Sequence, residues 1–254
     1  MILDLFITSL LLSLVLVGIH AYFGREIVKR GIIFADIAVA QFSGVGIALS
    51  LLLFHGERTY IFSLSFSLLA SLLIALSQRL KEYTEAFIGL LYALGFSLVV
   101  LLLSFSPHGM EELKKITASD ILFVERGEVL KTALIYSFIG TLLYLRKYIR
   151  GFWHEVSFFL LFSLTLASSV KLVGVLVVFS LLVSPAFVSL LFSRGLLFAW
   201  VWGTLLNLLA ISLSFWLDLP TGYTIVFFQA FLGIMAFFGR LTPQAKRTHP
   251  LKDQ

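Results

Sequence analysis

The chain has 254 residues, of which 59% belong to the hydrophobic set and only 13% are charged. Soluble domains carry about 25% charged residues, so this composition, with a mean hydropathy of +1.02, excludes a soluble enzyme, a nucleic-acid reader and a disordered tail protein. There is no cysteine, which excludes disulfides, thiolate metal sites and thiol catalysis. The net charge of +5 points to cytoplasmic loops facing anionic lipid rather than to nucleic acid.

A membrane-crossing helix needs about 20 apolar residues. Apolar runs, cut by charge clusters, Gly and Pro, predict spans over 2–23, 31–54, 60–77, 86–106, 131–145, 154–170, 173–193, 196–216 and 221–239. The first opens with no basic segment before it and no small-residue cleavage site after it, so it reads as a retained helix. The longest polar interval runs from Pro107 to Leu130 and holds Glu111, Glu112, Lys114, Lys115, Asp120, Glu125, Arg126 and Glu128. It has room for a short surface helix, and Ser119-Asp120 suits a helix start. From His154 to Ser193 the chain is long enough for ~60 Å of helix at ~1.5 Å per residue, hence two crossings with a break near Lys171–Gly174. The run 131–145 is short, which leaves the total at eight or nine. The expected fold is an all-α, polytopic transmembrane helical bundle, with residues 1–239 as one membrane domain and 240–254 as a short polar tail.

Basic residues set the orientation. With the N-terminus outside, the cytoplasmic side collects Arg25, Lys29, Arg30, Arg79, Lys81, Arg146, Lys147, Arg150, Arg194, Arg240, Lys246, Arg247 and Lys252. The other side holds Arg58, Lys114, Lys115, Arg126, Lys131 and Lys171. The tally of 13 against 6 predicts an outside N-terminus and a cytoplasmic tail.

Ionisable groups inside spans are costly, so each one is a functional hypothesis. They are His20, Asp36, Lys171 and, near an edge, Glu155; the polar uncharged candidates are Gln41, Asn207 and Gln229. Asp36 and Gln41 sit five residues apart, ~140° around a helix, and do not aim at one ion. Two roles suit Asp36: pairing with Lys29, Arg30 or a neighbouring helix, or lining a divalent-cation pathway as an oxygen ligand. Gln41 suits interhelical hydrogen bonding. His20 suits a satisfied interfacial histidine, a metal ligand or a proton relay. His55, His108 and His249 build no ligand cluster, and Lys171 can snorkel to the interface.

Small residues and turns add detail. Gln41-Phe-Ser43-Gly44-Val-Gly46 makes a smooth strip for close helix approach. Pro185 should kink its span, and Asp218-Leu-Pro220-Thr-Gly222 makes a tight turn. No phosphate-binding loop occurs, so transport driven by ATP would need a separate nucleotide-binding subunit.

Three segments resemble the membrane permeases of bacterial zinc, manganese and iron ABC importers, the ABC-3 family. HAYFGREIVKRGIIFADIAVAQFSGVGIAL (20–49) is similar to the first helix, basic turn and second helix of those permeases. VKLVGVLVVFSLLVSPAFVSLLFSR (170–194) places Gly174, Pro185 and Ala186 in register with a family segment, and DLPTG (218–222) resembles a late turn. The span order and SDILFVERGEVL (119–130) also fit. Two departures stand out. The family carries a histidine four residues beyond the second-helix aspartate, and here that position is Ala40, or Gln41 if Gly46 anchors the alignment; zinc is the ion this disfavours. The connection RKYIRGFWHE (146–155) is shorter than the family's ATPase-docking segment by roughly a helix.

The resemblance implies a type II importer permease in the bacterial inner membrane that catalyses no covalent chemistry and binds no cofactor. It implies a homodimer surrounded by lipid, working with a cytoplasmic ABC ATPase that binds ATP and an extracytoplasmic solute-binding protein, with no nucleic-acid partner. A divalent metal would be the substrate. Asp36, Gln41 and Ser43 would wall the pathway, with Asp36 as the metal ligand. Gly46, Gly174, Pro185, Asp218, Pro220 and Gly222 would be structural pivots. Arg146, Arg150 and Glu155 would couple to the ATPase, and Trp153 suits either an interfacial aromatic or an ATPase contact. The rival reading is a stand-alone secondary carrier or channel, which the sparse intramembrane charges and the lack of an internal repeat disfavour.

Overall fold

A computed structural model describes residues 2–119 and 121–241. Among them there are helices and turns and no strand. The helices are α1 (Ile2–Arg30), α2 (Ala35–Phe54), α3 (Thr59–Ser77), α4 (Thr84–Leu103), α5 (Gly109–Thr117), α6 (Arg126–Leu145), α7 (Phe152–Val173), α8 (Val175–Leu191), α9 (Leu196–Leu217) and α10 (Thr221–Leu241). Eight of them are long and apolar enough to cross a membrane. The expected tail lies outside the described residues beyond Leu241, and so does Asp120.

Three boundaries differ from the sequence reading. The run 131–145 is not the short one: α6 begins at Arg126 and spans 20 residues, because its charged first turn belongs to the helix. The short member is α8, with 17 residues. The surface helix α5 precedes Ser119 instead of starting there, with Glu111 and Glu112 in its first turn and Lys114 and Lys115 in its last, the arrangement its macrodipole favours.

Contacts fix which ends lie together. Asp4 pairs with Arg126, so α1 and α6 start at one end of the bundle. Arg30 pairs with Glu155, so α1 finishes where α7 starts. The Ser119 N–H donates to the Val173 carbonyl at 3.0 Å, placing the end of α5 against the α7–α8 junction. Arg25 donates to the Arg194 carbonyl at 2.7 Å, beside the far end of α8. At ~1.5 Å per residue α8 is ~25 Å long, enough to join the two ends despite its length.

α2 and α8 are the innermost helices, and small residues let the others reach them. A Cβ at Gly24 of α1 would run into the Leu182 carbonyl of α8, and one at Gly46 of α2 into the Phe62–Ser63 backbone of α3. Phe23 of α1 packs on Phe158 and Phe162 of α7 at centroid distances of 5.5 and 5.3 Å. In hydrocarbon, where apolar burial adds little drive, such close packing is what holds helices together.

Gly46→Ala should therefore destabilise the bundle by about 1–3 kcal/mol, since no flexible side chain can give way. Gly140 has nothing within 4 Å of its Cβ position, so Gly140→Ala should be neutral or stabilising by up to ~1 kcal/mol. Thermal unfolding in detergent checks the pair; equal midpoints would contradict this packing.

Candidate functional site

The site is built around α2. Asp36 falls in its first turn, where helix N–H groups and the macrodipole favour a carboxylate. The residue is 1% exposed, and no side chain meets its carboxylate, whose neighbouring donors are the backbone N–H groups of Asp36 and Ile37 in the first turn of the same helix. The cations expected to pair with it are engaged elsewhere, Lys29 with Glu26 at 3.7 Å and Arg30 with Glu155. Asp36 is thus a buried acid with no side-chain partner among the described residues.

The other α2 candidates face other helices. Gln41 is buried at the α2–α4 crossing, where a Cβ on Gly95 would approach the Gln41 Cβ to 3.0 Å. Ser43 shares a 2.6 Å hydrogen bond with Ser63 of α3, whose hydroxyl also reaches the Ala167 carbonyl of α7 at 3.5 Å. Asp36, Gln41 and Ser43 therefore do not converge on a common point. Among the described residues no group of three His, Asp or Glu side chains could hold a metal ion.

His20 is fully buried. Its Nδ1 lies 2.7 Å from the Leu16 carbonyl, which can only accept, so Nδ1 carries the proton and Nε2 is the acceptor. Ser169 then donates to Nε2 at 3.1 Å, and the Tyr136 hydroxyl donates to Ser169 at 2.5 Å. Ser168 lies 3.0 Å from the same phenol oxygen. This network ties α1, α6 and α7. Sequence reasoning missed Tyr136 and the serines, whose only signal was that hydroxyls in a span need partners.

A second knot joins the last three helices. Gln229 Nε2 donates to the Gly203 carbonyl at 3.1 Å and to Asn207 Oδ1 at 2.9 Å, while Ser184 donates to the Gln229 carbonyl at 2.6 Å. Pro185 lies inside α8 and packs on Gly203, where a Cβ would come within 2.8 Å of its ring. Gly174 and Gly222 meet at one place: a Cβ on Gly174 would approach the Ala118 Cα to 2.7 Å, and one on Gly222 the Ser119 carbonyl oxygen to 2.5 Å. Gly174 also has φ of +84°, so glycine is required there twice over. Asp218 has φ of +53° and caps α9, while Pro220 accepts from Thr224 at 2.9 Å. Lys171, in the last turn of α7, is exposed.

At the opposite end, Arg146 is 4% exposed. Its guanidinium donates to the His154 carbonyl at 3.1 Å and the His154 ring at 2.8 Å, and lies over Phe158. Arg150 is exposed, Glu155 is held by Arg30, and Trp153 is exposed. Glu155 and Arg30 also line a cavity of about 760 Å³ with Glu26, Gln78 and Glu85.

The model of the ABC 3 transport family matches residues 1–152 and 149–240. The chelated iron transport system membrane protein YfeC of Yersinia pestis is 27% identical over 72% of this chain and 71% of its own. The manganese transport system membrane protein MntC of Listeria monocytogenes is 25% identical over 89% of this chain and 90% of its own. Among solved structures, PsaBC from Streptococcus pneumoniae in complex with Fab superposes with a TM-score of 0.74 at 19% identity, covering 91% of this chain and 90% of that one. The likeness fixes the fold.

Tyr136→Phe removes the hydroxyl that feeds Ser169 and should cost about 0.6–1.7 kcal/mol, the range for interhelical hydrogen bonds in membranes. Ser137→Ala, one residue on, loses only an exposed bond to the Ala133 carbonyl of its own helix and should cost less than ~0.5 kcal/mol. Thermal unfolding of the two variants gives the comparison; an equal loss would break the network account.

Proposed function

As a member of the ABC 3 transport family, the chain is a membrane permease of an ABC transport system, and we propose that its cargo is a divalent transition-metal ion, iron or manganese ahead of zinc. One observation carries the reading: Asp36, buried in the first turn of α2, has a carboxylate that no side chain meets. A carboxylate in such surroundings is costly unless a cation or a proton meets it. The names of the relatives, iron and manganese systems, support the same class. The ion preference follows from donors: positions 40 and 41 offer Ala and an amide, not the imidazole that favours zinc.

The proposed assembly is a homodimer in the bacterial inner membrane, N-terminus outside and C-terminus cytoplasmic. A cytoplasmic ATPase dimer supplies the energy, an extracytoplasmic solute-binding protein delivers the ion, and this chain itself hydrolyses nothing and holds no resident cofactor. Nucleotide-driven closure of the ATPases changes the side to which the path between the permeases opens. Arg150 and Trp153 are exposed and are the proposed ATPase contacts. Arg146, buried under His154 and Phe158, braces the short connection from inside, and Glu155 acts through Arg30. Asp36 is the proposed pathway ligand. Gln41 and Ser43 hold α2 against α4 and α3, with Gly46, Gly174, Pro185, Asp218, Pro220 and Gly222 setting the helix crossings and turns.

In cells that depend on this system, Asp36→Asn should lower manganese and iron accumulation at least tenfold, with membrane levels of the chain unchanged. Asp36→Glu should restore part of it. Accumulation equal to wild type in Asp36→Asn would return the aspartate to a purely structural role.

A further inference from the structure

A groove runs along the outside of the bundle between α1 and α6. Its upper part, about 510 Å³, is lined by Ile7, Leu11, Arg126 and Leu130; its lower part, about 280 Å³, by Gly18, Tyr136, Ser137 and Trp200. Leu14, Val15 and Ala133 line both parts, so the two are one furrow. From Ile7 to Ile19 it follows α1 for twelve helical rises, ~18 Å at ~1.5 Å per residue. One leaflet contributes half of a ~30 Å hydrocarbon core, so the furrow is as deep as one acyl chain is long.

The ends of the furrow are specific. Gly18 leaves space for the Trp200 indole, which closes the floor and donates to the Leu14 carbonyl at 3.4 Å. At the mouth Arg126 pairs with Asp4, and both are partly exposed. Glu125 is exposed beside them, and Lys131 is engaged by Glu128 at 2.9 Å. The acids at the mouth thus match or outnumber the bases, which disfavours an anionic headgroup. They suit one that brings a phosphate for Arg126 and an ammonium for Asp4 and Glu125. A helix of a second copy is too wide: at ~10–12 Å across, 18 Å of helix fills over ~1,400 Å³.

We propose that this furrow is a binding site for one zwitterionic phospholipid with a primary-amine headgroup, its phosphate on Arg126, its ammonium at Asp4 and Glu125, and one acyl chain along α1 and α6 down to Trp200. The site rests on the membrane reading of the chain, and its test needs neither ATP nor a metal, so it fails or stands apart from the transport proposal. The lipid fills the seam beside the His20–Ser169–Tyr136 network and links α6, which has few protein neighbours, to α1.

The test is native mass spectrometry of the full chain released from detergent micelles containing equal phosphatidylethanolamine and phosphatidylglycerol. The expected result is one retained phosphatidylethanolamine per chain, favoured at least fivefold. Ala133→Phe, which blocks the furrow where its parts join, should lower occupancy at least tenfold, while Gly140→Ala on the same helix leaves it unchanged. The pair Asp4→Asn with Arg126→Gln should abolish the headgroup preference. If Ala133→Phe does not fold, Ala133→Leu and the wild-type headgroup preference decide the same question. No retained lipid, equal retention in the blocked variant, or no preference between headgroups would overturn the proposal. So would a disulfide-linked dimer of Leu11→Cys, clean to read in a chain without cysteine, because it would put a second copy on this face.

Discussion

Hydrocarbon offers no hydrogen bonds, and most polar groups in this bundle are disposed accordingly. Serines and threonines turn back onto carbonyls three or four residues earlier in their own helices, as Ser13, Ser67 and Thr165 do. Larger polar side chains bond across helices, as in the His20–Ser169–Tyr136 and Gln229–Asn207–Gly203 knots. Against that background Asp36 stands apart. It is the one buried carboxylate among the described residues, and no side chain meets either of its oxygens. Ser71, Thr204 and single atoms of Gln78, Trp202, Asn207 and Gln229 are also buried without a partner, but they are neutral, and leaving a carboxylate so placed costs more.

The same constraint explains the two ends of the bundle. Where the chain leaves hydrocarbon, charges close on one another: Arg30 with Glu155, Asp4 with Arg126, Lys115 with Glu112. Exposed pairs of this kind contribute little stability, but they mark where α1, α6 and α7 begin and end. The α5 end, the α7–α8 break and the start of α10 meet at one junction, where Gly174 and Gly222 let the backbones approach closely.

Much of this was legible in the sequence. The apolar runs located the membrane helices, because a ~20-residue apolar stretch has few alternatives. The break at Gly174 and the turn at 218–222 showed in glycine and proline, whose backbone preferences are local. What did not show were facts of the third dimension. Arg146 reads as a surface arginine, yet it is buried because His154 and Phe158, eight and twelve residues later, fold over it. The start of α6 was hidden because charged residues occupy its first turn. Tyr136 and Ser169 carry no pattern of their own; only the placement of α6 and α7 beside α1 makes them partners of His20. The absence of a partner for Asp36 was likewise invisible, since Lys29 and Arg30 lie close in sequence and are taken by other acids.

The central claim is that this chain passes a divalent metal only when a separate ATPase drives it. The most direct measurement is uptake of Mn²⁺, Fe²⁺ and Zn²⁺ into proteoliposomes containing the chain with its cognate ATPase and binding protein, with and without ATP. The account predicts ATP-dependent uptake, Mn²⁺ or Fe²⁺ ahead of Zn²⁺, and none from the chain alone. Uptake of equal rate with no ATPase present would contradict it and make the chain a carrier.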